Sequence, residues 1–109
     1  MSKTTYRLTP DSQSDLIKIR QYTLAQWGAE QSRNHIAELR RTMGLLAKTP
    51  FLGKSRPEVT ENVLSFPQAS HVIYYIVHGH QIVIFGVLHK RMVPTKHLLE
   101  REGFYTTQS

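Results

Sequence analysis

The chain has 109 residues, 39% of them apolar, enough for one hydrophobic core and too few for two. It contains no cysteine, which excludes disulfides and thiolate metal sites and fits a reducing compartment. The formal net charge of +6 points to nucleic acid or an acidic protein surface as a partner.

The basic residues are spread along the chain rather than gathered in a tail: Lys18/Arg20, Arg33, Arg40/Arg41, Lys54/Arg56, Lys90/Arg91 and Lys96. No run reaches the ~18 apolar residues of a membrane span, and the N-terminus MSKTTYRL has no apolar signal core. These features predict an intact cytoplasmic protein that forms a single domain over residues 1–109 and has no membrane partner.

In chain order, residues 4–9 read as a short strand. Thr9 is placed to cap a helix with Pro10 at its first position and Asp11 in its first turn. That helix is expected to run to about Trp27 and to stop at Gly28. Leu16, Ile19, Thr23 and Trp27 line one face, with Tyr22 at its edge. A second helix is expected from Ala29 to Lys48, with Ile36, Leu39, Met43 and Leu46 at helical spacing. The short connection makes the two helices antiparallel neighbours. Thr49-Pro50 ends the second helix.

Residues 50–60 form a loop holding Lys54 and Arg56. Residues 62–66 read as a strand stopped by Pro67. Two strands at 70–78 and 81–89 follow, joined by Gly79-His80, a pair suited to a type II′ turn. A two-residue loop sets His78 opposite Gln81, Tyr74 opposite Phe85, His71 opposite Leu88 and Ser70 opposite His89. Both faces of this hairpin are apolar. One can sit on the helices, and the other needs a second cover. That cover is either a partner segment or the chain's own terminal helix, 94–101, with Phe104. The expected class is α+β: an N-terminal strand, then an antiparallel helical hairpin packed on a three- to four-stranded antiparallel sheet (β-α-α-β-β-β), then a short C-terminal helix.

The histidines lack the neighbouring acids or cysteines of a metal site, so neither metal nor cofactor is expected. Gly53-Lys54-Ser55 lacks the earlier glycine of a phosphate loop. One constellation stands out. Lys54 and Arg56 precede the sheet, His89, Lys90 and Arg91 leave its last strand, and His71 is placed near the same end. Such cations can clamp phosphates or an acidic protein surface. With His71 as base and His89 as acid, the set can also be read as a metal-free ribonuclease.

The run TPDSQSDLIKIRQYTLAQWG, the loop LGKSRPE and the strands VLSFPQASHVIYYIV and IVIFGVLHKRM together resemble the ParE toxins of bacterial type II toxin–antitoxin pairs, within the RelE/ParE superfamily. The resemblance covers about residues 4–100. It implies a non-enzymatic toxin that inhibits DNA gyrase by binding and so blocks replication. It also implies a cognate ParD-like antitoxin that docks on apolar grooves and holds the toxin in a hetero-oligomer. RelE relatives instead cut mRNA on the ribosome, with an arginine entering the central strand and a tyrosine after the last. Here His71 stands near the first position and no tyrosine lies between Tyr75 and Tyr105, which favours the ParE branch. Gly86 departs from relatives that carry a larger, often basic residue there.

The expected target contacts, to gyrase or nucleic acid, are Lys54, Arg56, His89, Lys90 and Arg91, with DNA touched directly or indirectly. The expected antitoxin contacts are Tyr22, Trp27 and Phe66. The alternatives are a ribosome-dependent endoribonuclease and a non-toxic protein-binding module.

Overall fold

The computed structural model describes residues 5–101. Strand β1 (Thr5–Leu8) leads into helix α1 (Pro10–Trp27) and helix α2 (Ala29–Lys48). A 3-10 turn (Pro50–Leu52) is followed by β2 (Lys54–Ser55), β3 (Leu64–Gln68), β4 (His71–His78), β5 (Gln81–His89) and a short helix α3 (Pro94–Leu98). The α+β class and the helical hairpin are as the sequence predicts. Among the described residues the sheet has five strands, in the order β1-β5-β4-β3-β2. It is mixed, because β1 runs parallel to β5, Tyr6 beside Ile82 and Leu8 beside Ile84. The additional member is the two-residue β2, which pairs Lys54 with Ser65.

Local chemistry sets the boundaries of α1. The Thr9 hydroxyl accepts a hydrogen bond from the Ser12 amide at 3.2 Å, satisfying one of the free donors of the first turn. The Thr9 amide in turn donates to the Ile84 carbonyl at 3.0 Å, so the cap is anchored to the sheet. At the other end the Gly28 amide closes on Leu24 at 3.0 Å. Gly28 sits at φ 92°, and α2 starts at the next residue.

Two details differ from expectation. Strand β3 runs through Pro67 to Gln68. Pro67 pairs with Val72 of β4, while β2 reaches only Leu64 and Ser65, so β3 is an edge there and needs no second donor. Helix α3 stops at Leu98, short of Arg101.

The hairpin has a regular half and a shifted half. Gly79 adopts φ 63° in the turn, and the pairs His78–Gln81 through Tyr75–Ile84 follow the predicted register. Beyond that the register advances by one residue at Phe85. Tyr74 pairs with Gly86, Ile73 with Val87 and His71 with His89. This is a β-bulge, and it reverses which side every later residue of β5 faces.

Each face of the sheet has its own core. On the helix side, Leu16, Ile19, Leu39, Met43 and Leu46 pack on Ile73, Tyr75, Ile82, Ile84 and Val87. On the second side, Tyr74, Ile76, Val83, Phe85 and Leu88 pack with Val59, Val63 and Leu98. The chain therefore covers its own second face with the 56–63 loop and α3. Phe104, the other residue expected to cover that face, lies outside the described residues. No helix among the described residues is long and apolar enough to cross a membrane.

Candidate functional site

The bulge determines what stands at the open end of the hairpin. In an unshifted register His71 and His89 would point to opposite faces. In the structure they are direct register partners on the helix side, their rings at right angles with centroids 5.5 Å apart. His35 of α2 completes the group, its Nε2 lying 3.2 Å from His71 Nδ1. The His71 imidazole is held down to about 4, first by burial and then by the nearby His35 and His89. Burial also lowers His35. Among the described residues, no group of three or more His, Cys, Asp or Glu is arranged to hold a metal ion.

Beside this group, an ion pair seals the bulge. The Val87 amide donates to Asp15 Oδ2 at 2.9 Å. Arg101 donates to both Asp15 oxygens, at 2.6 and 3.1 Å, and to the Phe85 carbonyl at 2.9 Å. Both side chains are largely buried, 15% and 11% exposed. Strand β1 reaches along β5 only as far as Ile84, so Asp15 and Arg101 take over the edge beyond it. A bidentate, hydrogen-bonded pair is the arrangement that offsets the cost of burying two charges.

The histidines form one side of a cleft of about 380 Å³ between the end of α1 and the open end of β4–β5. It is lined by Tyr22, Thr23, Trp27, Ser70, His71, His89, Lys90 and Arg91. An adjoining hollow of about 290 Å³, formed by Lys18, Ile19, Val87, Leu88 and Met92 among others, shares Tyr22, His71 and His89 with it. Tyr22 and Trp27 are 61% and 54% exposed. Their rings stand at 87° with centroids 6.4 Å apart, forming a corner. The Lys90 amide bonds to the Ser70 carbonyl at 2.8 Å and the Arg91 amide to His89 Nδ1 at 3.1 Å, which fixes the backbone of the cationic rim.

The expected target contacts do not form one clamp. His89, Lys90 and Arg91 lie at the cleft. Lys54 and Arg56 lie at the opposite edge of the sheet, three inter-strand steps away, roughly 14 Å. Arg56 is also on the other face, 5.8 Å from the Tyr74 ring centroid, and it is engaged with Glu58 and Ser65 at 2.9 and 2.8 Å. Of the expected antitoxin contacts, Tyr22 and Trp27 share the cleft with Lys90 and Arg91. Phe66 is half-buried and packs against the helix-side core.

Sequence reasoning missed three features. His35 sits on a helix face that reads as solvent-facing. Phe51, 77% exposed, stands out in the 3-10 turn, and its signal was an aromatic residue between Pro50 and Gly53. A third groove, of about 370 Å³, runs between α1 and α2, with Leu16, Ile17 and Ile36 flanked by Arg20 and Arg40.

A family model described as "ParE toxin of type II toxin-antitoxin system, parDE" matches residues 6–94. The chain belongs to the ParE toxin family. Toxin ParE1 of Caulobacter vibrioides is 32% identical over 93 residues, covering 85% of this chain and 96% of its own. Toxin ParE1 of Mycobacterium tuberculosis H37Rv is 30% identical over 88 residues, 80% and 90% of the two chains. Toxin ParE of Escherichia coli is 29% identical over 99 residues, 90% and 96%. A solved structure named "Chromosomal ParDE TA system from P. aeruginosa" superposes with a TM-score of 0.69, covering 79% of this chain and 95% of its own. At 17% identity that likeness concerns the fold alone.

In this ParE toxin the space over Gly86 is filled from elsewhere in the chain. A Cβ there would lie 2.6 Å from Leu98 Cδ2 and 3.4 Å from an Arg101 guanidinium nitrogen.

Proposed function

We propose that this ParE toxin acts by binding DNA gyrase and halting replication, and that a ParD-like antitoxin neutralises it. Family membership supports the toxin reading. The observation that carries the mode of action is the shared cleft, where the exposed aromatics Tyr22 and Trp27 adjoin the free cationic rim of Lys90 and Arg91. A partner segment lying on Tyr22 and Trp27 covers Lys90 and Arg91 as well. Antitoxin binding then masks the target-contacting surface directly. The α1–α2 groove and Phe51 are further apolar positions for the same antitoxin.

Protein binding is favoured over catalysis by the state of His71. A base held down to about 4 stays neutral at pH 7, but it is a weak proton acceptor for a hydroxyl nucleophile. The second reading, a ribosome-dependent endoribonuclease, is kept by the one geometric point in its favour, the His71–His89 pairing.

A supercoiling assay with purified gyrase tests the proposal. Inhibition with accumulation of cleaved DNA is expected, relieved by the cognate antitoxin and weakened several-fold in the Arg91→Ala variant. Unchanged supercoiling together with mRNA cleavage in a translation extract would establish the ribonuclease instead.

A further inference from the structure

We infer that the Tyr22–Trp27 corner and the Lys90–Arg91 rim together form a binding site for single-stranded nucleic acid, in which an unstacked base sits on the aromatics and its phosphates meet the cations. The inference rests on the reading of this cleft as the target-contacting surface, and it names the chemistry that surface accepts.

The charge distribution comes first. None of the residues lining the cleft is acidic, and Lys90 and Arg91 make no ion pair among the described residues. The carboxylates that line the neighbouring hollows are accounted for. Asp15, in the adjoining hollow, is bound to Arg101, and Glu30 lies beyond Trp27 in a separate shallow depression with Gln31 and Asn34. The rim therefore keeps its positive charge for a ligand. Other cations are spent internally, as Arg56 is on Glu58 and Arg101 on Asp15.

The aromatic residues decide which kind of anion fits. An acidic peptide needs cations but no ring. A duplex backbone needs cations but keeps its bases stacked and out of reach. Single strands are held by cations along the backbone and by aromatic side chains on which the bases stack. Two rings more than half exposed are costly to leave in water, and at 87° they present a base with one ring to stack on and a second to meet edge-on. The His71–His89 floor is polar, so it can meet the edge of a base seated in the cleft.

Trp27 is the chain's one tryptophan and reports on its own occupancy. The test titrates the purified protein with a single-stranded oligothymidylate of about ten nucleotides, following tryptophan fluorescence and the anisotropy of a labelled strand. Quenching on binding is expected, with affinity falling as salt rises. In the Lys90→Ala/Arg91→Ala variant, the slope of log affinity against log salt should shrink by about 1.4, the share of two phosphate contacts on a single strand. Tyr22→Leu should weaken binding about tenfold or more while leaving that slope unchanged.

Absence of quenching at low salt overturns the inference. So does equal quenching by a duplex of the same length or by polyglutamate, the second outcome marking an acidic protein surface as the ligand. Gyrase assays run in parallel separate the two proposals. Inhibition of supercoiling without oligonucleotide binding removes this site and leaves the gyrase reading standing. Oligonucleotide binding without inhibition does the reverse.

Discussion

The two halves of the β4–β5 hairpin are built from the same kinds of residue and do opposite work. Near the turn, the pairs from His78–Gln81 to Tyr75–Ile84 are regular, and β5 is flanked by backbone on both sides, β4 and β1. Beyond Phe85 the register is shifted, β1 has ended, and side chains close the edge instead. The regular half supplies scaffold. The shifted half turns His89 toward His71 and delivers Lys90 and Arg91 to the cleft. A strand fixed by backbone ladders has little freedom to re-aim a side chain. One held by a bulge and an ion pair can place a histidine where the alternation of a strand would not.

The strongest way to break this contrast is at Asp15. Asp15→Ala leaves Arg101 buried without its carboxylate and the Val87 amide without its acceptor. A loss of about 3–5 kcal/mol is expected in urea unfolding. Native-state hydrogen exchange in that variant should speed up at Val87 and beyond while Ile82 to Ile84 stay protected, since those are held by β1. Uniform loss of protection along β5 would show that the two halves are one cooperative unit.

Acidification separates the halves next. His71 sits at about 4 in the folded chain, against 6.5 as its ordinary value. Between those values the unfolded chain binds more protons, so stability rises with pH across this window. His71's contribution is complete above about 6.5 and lost as the pH falls toward 4. At about 1.36 kcal/mol per unit this is at most about 3 kcal/mol, and burial-driven lowering of His35 acts in the same direction. His71→Leu should flatten the profile over that range, as followed by urea midpoints from pH 4 to 7.5. A slope unchanged in His71→Leu would place the titration elsewhere.

The smallest effect is expected at Gly86. An alanine there meets Leu98, which is fully buried and cannot swing clear into solvent. Gly86→Ala should cost about 1–3 kcal/mol by overpacking, read as a lowered thermal midpoint. Adding Leu98→Ala should recover part of the overpacking cost, because the added methyl then has room, so the double-mutant cycle is non-additive.

How far this was legible in the sequence follows the same division. Thr9-Pro10 and Gly28 mark the ends of α1, and the spacing of Leu39, Met43 and Leu46 gives the buried face of α2, because caps and periodicity are local. Gly79 gives the turn, and the turn gives the register of the four pairs next to it. The bulge had a local signal, an isolated glycine inside an apolar strand, but not its consequence for His71 and His89. The parallel docking of β1 and the ion pair of Asp15 with Arg101 have no local signal, since each depends on chain segments far apart in sequence. For the same reason Lys54 and Arg56 could be grouped with Lys90 and Arg91 by charge, although the sheet order sets them on opposite edges. The placement of Tyr22 and Trp27 against Lys90 and Arg91 was likewise invisible from either segment alone.

The Asp15–Arg101 pair also bears on the order in which the molecule assembles. Its partners are 86 residues apart, and β1 meets β5 across a separation of similar size. The α1–α2 hairpin closes through the single residue Gly28 and can form while the rest of the chain is still loose. Contacts between distant segments pay their loop-closure entropy late and slow folding. At the edge of β5 beyond Ile84, Asp15 reaches the Val87 amide from α1 whereas the Phe85 carbonyl is met by Arg101, so a chain whose residues near 101 have not docked leaves that edge less protected against pairing with another chain. Docking of that segment thus both completes the ion pair and helps withdraw that edge from aggregation.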